Sequence, residues 1–321
     1  MGWRVIYIEE SEKLSLYLDN IKISTMANGD VTIPLSDIHT IIIDNIKVLI
    51  SAQLINKCCE NNICVIICSI NHMPFSLIQP FNGNKENAAI QLRQIKWKEL
   101  QKKEIHKLII KNKITNQYKL LEYLKLENSC IEKLKEFANS IELGDVTNRE
   151  GLSAKMYFKA LFGKDFIRFN TDVINAGLDF GYQILRSQIS KSVISKGLNP
   201  VFGIIHHGPE NQFNLSDDII EPFRPIIDAY CYKKLLQCNF FKQSNRIELV
   251  KLTTIYIKYG NNKQTIFNTI NMFIDSIINY FETGDINKIQ EISIDYESVW
   301  LYENYCFLWS SCQNKKRKKG I

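Results

Sequence analysis

No uncharged apolar run in this 321-residue chain approaches the roughly 18 to 20 residues that a bilayer-spanning helix requires. The N-terminus, Met1-Gly2-Trp3-Arg4, enters strand-like sequence directly and lacks the pattern of a signal peptide, so no membrane partner and a cytoplasmic location are expected. Cys-x-x-Cys pairs are also missing. The nine cysteines (Cys58, Cys59, Cys64, Cys68, Cys130, Cys231, Cys238, Cys306 and Cys312) are odd in number, which argues against a zinc site or a disulfide framework. There is no internal repeat, no low-complexity segment and no overwhelming charge of one sign. The 40 basic and 34 acidic residues leave a net charge of +6, which favours a polyanionic partner without naming it. What is present is ordinary for a folded protein: 45% hydrophobic and 23% charged residues exclude disorder and collagen-like fibres, and the length suits two domains.

From Trp3 to about Ser69 the pattern is short and β-like. Leu14, Leu16 and Leu18 alternate, as do Ile21 and Ile23, with a turn signal at Asn28-Gly29-Asp30. Ile38 to Ile43 and Ile63 to Cys68 are short apolar runs. Between them Leu54, Ile55, Cys58 and Cys59 follow helical spacing after a candidate N-cap at Ser51, so one helix interrupts the strands. Pro74, Pro80 and Asn82-Gly83-Asn84 place a domain boundary near residues 74–86, which predicts a β-rich domain over 1–80. Beyond it Ala88, Leu92 and Ile95 open a helical pattern that continues past Tyr123 without Gly or Pro, and an all-α domain is expected over 86–321. Between Lys96 and Lys125 nine lysines face only Glu99, Glu104 and Glu122, either as a phosphate-tracking surface or as a solvated helix face. The run Lys315-Lys316-Arg317-Lys318-Lys319 has the same two readings, nonspecific DNA affinity or a solubilising end.

Two segments carry residues able to do chemistry. In the first, Thr147-Asn148-Arg149-Glu150-Gly151 precedes a helical pattern through Ala154, Tyr157, Phe158, Leu161 and Phe162 to Gly163. Thr147 and Glu150 have capping-box spacing, in which the carboxylate returns to the N-cap amide. Alternatively Glu150, on the face that continues through Ala154 and Tyr157, points inward, where an ionised group needs a cation or a metal. In the second segment, Phe202-Gly203 leads to His206-His207, then Asn211-Gln212-Phe213-Asn214, Asp217-Asp218 and Glu221-Pro222-Phe223-Arg224-Pro225. An imidazole followed by separated carboxylates forms a ligand set for a divalent ion, with the histidine tilting preference toward Mn²⁺ beside Mg²⁺. Pro222 and Pro225 fit the first turn of a helix beginning at about Glu221, which would put that carboxylate at a helix mouth. Arg224 has three readings: pairing with Glu221, bracing Asp218, or binding a phosphate. His39, His72 and His106 read as structural.

At these residues the chain resembles the CRISPR spacer-acquisition integrases, the catalytic one of the two universal adaptation proteins, and is most similar to members from type II systems. The strings that carry the likeness are Gly2-Trp3-Arg4, Ile33-Pro34-Leu35-Ser36-Asp37-Ile38, Asn148-Arg149-Glu150-Gly151, Asn175-Ala176-Gly177-Leu178-Asp179-Phe180-Gly181-Tyr182, Phe202-Gly203 to His206, and Asn211 to Asn214 through Glu221 to Pro225. The resemblance implies an α+β fold, with a small N-terminal β-sandwich domain for dimerisation and partner contacts, followed by a larger all-α catalytic domain that binds DNA. It implies Glu150, His206 and Glu221 as catalytic ligands of Mg²⁺ or Mn²⁺, with Asp218 as an auxiliary acid. The doubled His206-His207 departs from the family pattern, and the spacing from Phe202-Gly203 favours His206. Other candidate DNA-binding residues are His207, Asn214, Asp218 and Arg224. The implied activity is that of a DNA endonuclease and integrase, joining 3′-OH ends of captured DNA to the CRISPR repeat. The implied partners are DNA, a second copy in a homodimer, the small second adaptation protein and the RNA-guided effector nuclease. A noncatalytic DNA-binding scaffold and a stand-alone metal-dependent nuclease are the rivals.

Overall fold

Residues 2–25, 29–80 and 83–300 are described in the computed structural model, and they divide at residue 80 into two compact units. The basic run Lys315–Lys319 lies outside them. In the first unit the order is β1 (Arg4–Ile8), β2 (Lys13–Tyr17), β3 (Asn20–Thr25), β4 (Gly29–Pro34), β5 (Ile38–Ile43), β6 (Leu49–Ile50), α1 (Ala52–Glu60), β7 (Cys64–Cys68) and β8 (Pro74–Ile78). These strands form two four-stranded sheets, ordered β4-β3-β2-β6 and β1-β5-β7-β8. The alternation expected through Leu18 stops at Tyr17. Leu18 and Asp19 both have positive φ, 46° and 57°, and make the two-residue turn that sets Tyr17 opposite Asn20. Inward residues of β2, β3 and β4 (Leu14, Ile21, Ile23, Ile33) share one core with Ile6, Ile8, Ile41 and Ile43 of the other sheet and with Leu54 and Cys58 of α1. Strand β5 is buried along its whole length and runs parallel to β1 and β7, which accounts for its unbroken apolar run. Ser51 caps α1 as expected, its hydroxyl accepting the Leu54 amide at 3.3 Å.

The second unit contains α2 (Asn87–Ile95), α3 (Glu99–Tyr123), α4 (Asn128–Asn139), α5 (Arg149–Phe162), α6 (Val173–Ser195), α7 (Asn214–Ile220), α8 (Arg224–Tyr230), α9 (Gln243–Leu252), β9 (Tyr256–Tyr259), β10 (Asn262–Thr265), α10 (Ile266–Thr283), β11 (Ile292–Ser293) and α11 (Tyr296–Trp300). The all-α expectation is thus corrected by a three-stranded sheet, ordered β10-β9-β11. Its signal is local: Ile257 and Tyr259 alternate inward along β9, and Gly260, at φ +58°, turns the chain into β10. The helical pattern expected from Ala88 past Tyr123 appears as successive helices, with a break between α2 and α3 where Trp97 stacks on Phe281 at 3.8 Å between ring centroids.

Helix α3 is the spine of this unit and is unusually polar inside. His106, Asn112, Lys113, Asn116 and Gln117 are all buried in it beside Ile105, Ile109, Ile110 and Ile114. Two asparagines supply backbone partners for distant segments. Asn112 exchanges hydrogen bonds with Ile292 of β11 at 2.7 and 2.9 Å, and Asn116 donates to the carbonyls of Ile292 at 3.0 Å and Pro222 at 3.1 Å. The second bond ties the turn that carries Glu221 to α3.

Candidate active site

The first turn of α5 is capped by residues other than Thr147. Asn148, in the left-handed region at φ 50°, accepts the Gly151 amide at 3.2 Å, while the Asp145 carboxylate accepts the amides of Arg149 at 2.8 Å and Glu150 at 2.9 Å. The capping-box reading of Glu150 is overturned because Asp145 and Asn148 already satisfy these donors. The Glu150 side chain instead reaches α3, where Lys113 Nζ donates to Oε1 at 2.7 Å and His106 Nε2 lies 3.8 Å from Oε2.

Glu221 does not sit at a helix mouth. Its backbone is already helical, with φ −52° and ψ −45°, at the start of a 3-10 turn, Glu221–Phe223, that joins α7 directly to α8. Pro222 and Pro225 lack the amides that a continuous α-helix would use, so the path tightens there. Glu221 is buried, with Oε2 2.5 Å from Lys113 Nζ and Oε1 accepting from Arg224 Nε at 2.8 Å. A single buried ammonium therefore joins two carboxylates that come from distant parts of the chain.

The electrostatics follow from this arrangement. Burial pushes both carboxyls up. It is outweighed at Glu150 by Lys113 and His106, and at Glu221 by Arg224 and Lys113, so both are held below the ordinary glutamate value. Burial would likewise lower the Lys113 ammonium, but Glu221 and Glu150 hold it above its ordinary value. Arg224 also lies over the Tyr182 ring, 4.5 Å from its centroid. The Tyr182 hydroxyl donates to Asp228, as does Tyr157 at 2.9 Å. Asp228 is fully buried, and burial pushes its carboxyl up to about 6. Lys113, Gln117, Phe158, Arg168, Tyr182 and Arg224 line a cavity of about 590 Å³ beside the pair.

His206 is held by a separate arrangement. Asp218, 2% exposed, accepts the amides of Ile204, Ile205 and His206 and, at 2.7 Å, the His206 Nδ1 proton. This bond and the nearby Glu221 raise the imidazole above its ordinary value. Only glycine fits at 203, since a Cβ there would lie 2.2 Å from the His206 carbonyl oxygen. Asn214 pins the same loop: it accepts the Gly208 amide at 3.1 Å and donates to the carbonyls of Gly208 and Val201, each at 3.1 Å. Asp218 and Asn214, read above as possible DNA contacts, are thus buried loop anchors. Arg224 takes the first of its three readings and pairs with Glu221. His207 is exposed and within electrostatic reach of Glu99.

Of the three predicted ligands, the structure brings Glu150 and Glu221 together. Among the described residues no three His, Cys, Asp or Glu side chains are grouped to hold a metal ion, because Lys113 fills the space between the carboxylates and Asp218 draws the imidazole to α7. The donors nevertheless suit a divalent ion. The carboxylate pair already holds a cation, and a carboxylate on Nδ1 is the support that metal-binding histidines commonly have, leaving Nε2 as the ligand. Sequence reasoning missed Lys113 and gave His106 only a structural role. The available signal was spacing, since His106, Lys113 and Gln117 lie in step with the apolar stripe of α3.

The family described as CRISPR associated protein Cas1 matches residues 6–253. The chain belongs to the Cas1 family. A Cas1 relative, the CRISPR-associated endonuclease of Neisseria meningitidis serogroup C, is 33% identical over 296 residues, covering 90% of this chain and 94% of its own. A second, from Francisella tularensis subsp. novicida, is 24% identical, covering 86% and 90%. Two solved structures share the Cas1 fold. A casposase bound to integration product has a TM-score of 0.70 at 18% identity, covering 92% of this chain and 93% of that one. A Cas1 protein from Thermotoga maritima has a TM-score of 0.68 at 17% identity, covering 87% and 97%. No helix among the described residues is long and apolar enough to cross a membrane.

Proposed function

We propose that this Cas1-family chain is a divalent-metal-dependent DNA endonuclease and integrase of CRISPR adaptation, which joins the 3′-OH ends of captured DNA to the CRISPR repeat by transesterification. The observation that carries this reading is the part-buried Glu150 and the buried Glu221 sharing one cation beside a cavity lined by basic and aromatic side chains. Support comes from the endonuclease relatives and from the casposase structure, which is bound to integration product.

Glu150, Glu221 and His206 would hold Mg²⁺ or Mn²⁺, which when bound would supply positive charge for a scissile phosphate and for the negative charge that develops in the transition state. The chain's own residues do the remaining work. Lys155, Lys159 and Arg168 on the cavity wall bind phosphate oxygens, so affinity is steeply salt-dependent and reads little base sequence. Arg224 orients Glu221, and Asp218 fixes the His206 tautomer that presents Nε2. The grip on the duplex aligns the 3′-OH, so proximity supplies much of the rate and no covalent enzyme intermediate forms. Two ends of a rigid duplex need two such sites, which argues for a homodimer. A complex of Cas1 with Cas2 among similar structures supports the small adaptation protein as partner, and the type II likeness extends this to the RNA-guided effector nuclease.

Glu150→Ala should abolish cleavage and joining while leaving DNA affinity within about threefold, because binding rests on Lys and Arg contacts. Near-normal turnover would favour the noncatalytic scaffold. With the full chain, the adaptation partner, Mn²⁺ and a labelled duplex, the label should become covalently joined to a repeat-bearing plasmid, and a dideoxy-blocked 3′ end should stop joining but not binding. Water-derived nicks alone would favour a stand-alone nuclease.

A further inference from the structure

We propose that Lys113 is a built-in counter-ion of the active site, which holds the Glu150 and Glu221 carboxylates one cation apart in the ion-free protein and yields its place when a divalent ion enters. The inference rests on the metal-dependent reading above and assigns Lys113 a role that this reading leaves open.

Three observations carry it. Lys113 Nζ lies 2.7 Å from one carboxylate and 2.5 Å from the other, on a side chain only 9% exposed, so it occupies the position between the two acids that a shared metal ion would need. An ammonium and a divalent ion cannot share that position in a poorly screened site, because like charges repel strongly where water is scarce. The displaced ammonium also has a destination. Gln117 lies one helical turn along α3, is 2% exposed, lines the same cavity, and has a buried side-chain oxygen without a hydrogen-bond partner among the described residues. Positions i and i+4 on a helix are side-chain neighbours, so a lysine can reach that oxygen by rotamer change alone.

Net charge gives the exchange a purpose. Two carboxylates, Lys113 and Arg224 sum to zero. With a divalent ion between the acids and the ammonium moved onto Gln117 in the same cavity, the sum becomes two positive charges, which favour a phosphodiester anion. Lys113 thus keeps the two acids close without a metal and relaxes onto Gln117 when substrate chemistry is possible. It is a positioning residue.

The test is Mn²⁺ binding to the full chain, measured by titration calorimetry and by electron paramagnetic resonance of free Mn²⁺, without DNA. Lys113→Met keeps the length and removes the charge, and should bind Mn²⁺ at least tenfold more tightly than wild type. Lys113→Arg keeps a competing cation and should not. Equal or weaker binding by Lys113→Met, with normal uptake by wild type, overturns the inference and leaves the metal reading standing. If neither protein takes up Mn²⁺, the metal reading itself fails. Should Lys113→Met not fold, acetylation of the wild-type protein decides: Lys113 should be protected in EDTA and become reactive with Mn²⁺. Protection in both conditions would defeat the proposal.

Discussion

Arg224 lies between two sets of acids, wholly or partly buried, that are treated in opposite ways. On one side Glu221, with Glu150, faces ammonium and guanidinium groups and is held ionised. On the other, Asp228 is bonded by the hydroxyls of Tyr157 and Tyr182 and keeps its proton to about pH 6. Burial pushes all three carboxyls in the same direction. What differs is the partner: a full positive charge repays the lost hydration, whereas two neutral hydroxyls repay part of it. The contrast separates a site ready to accept a cation from a scaffold that holds Tyr182 under Arg224.

The comparison can be broken most severely at Arg224. Arg224→Met removes a cation from a buried acid and the group stacked on Tyr182, and should cost about 3–5 kcal/mol, read from the denaturant midpoint at neutral pH. A loss below about 1 kcal/mol would show that Glu221 does not depend on it. Asp228 offers a second, smaller effect. Its folded carboxyl holds a proton to about 6 while the unfolded one releases it near 3.8, so the folded state binds more protons between these values and stability falls as pH rises through that window. The groups acting on it are Tyr157, Tyr182, Arg224 and Arg168. Asp228→Asn should remove a decline on the order of 3 kcal/mol from the stability profile between about pH 4 and 6. An unchanged profile would contradict the protonated state. Least affected should be Tyr157→Phe, which deletes one bond to Asp228 and should cost about 1 kcal/mol and move the upper limit of the same pH window upward.

Much of the architecture was legible in local pattern. The alternation of Ile21 and Ile23, the Ser51 cap of α1 and the helix ending at Gly163 all depend on neighbours a few residues away, and all appear where spacing put them. Leu18 fell outside its strand because the turn needed two residues at positive φ. Strands β9 and β10 were missed because the helical pattern around them was carried across a short hairpin. In the site, Glu150 and Glu221 were recognisable by residue type and motif, but their partners were not. Thr147 had the spacing of a cap, yet Asp145 and Asn148 satisfied the amides first.

The sequence by itself determined the order of a strand-rich unit before a mainly helical one, the periodic faces that build the two cores, and which acids and imidazole were chemically eligible. Only the tertiary structure decided that Lys113, one of nine lysines in a stretch that reads as a phosphate-tracking surface or a solvated face, is buried between two acids. A buried ammonium is tolerated only where opposite charge arrives to replace its water, and here that charge comes from α5 and from the turn after α7, held to α3 by Asn116. Helical spacing encodes which way a side chain points, but carries no record of the charge it will meet from a distant segment.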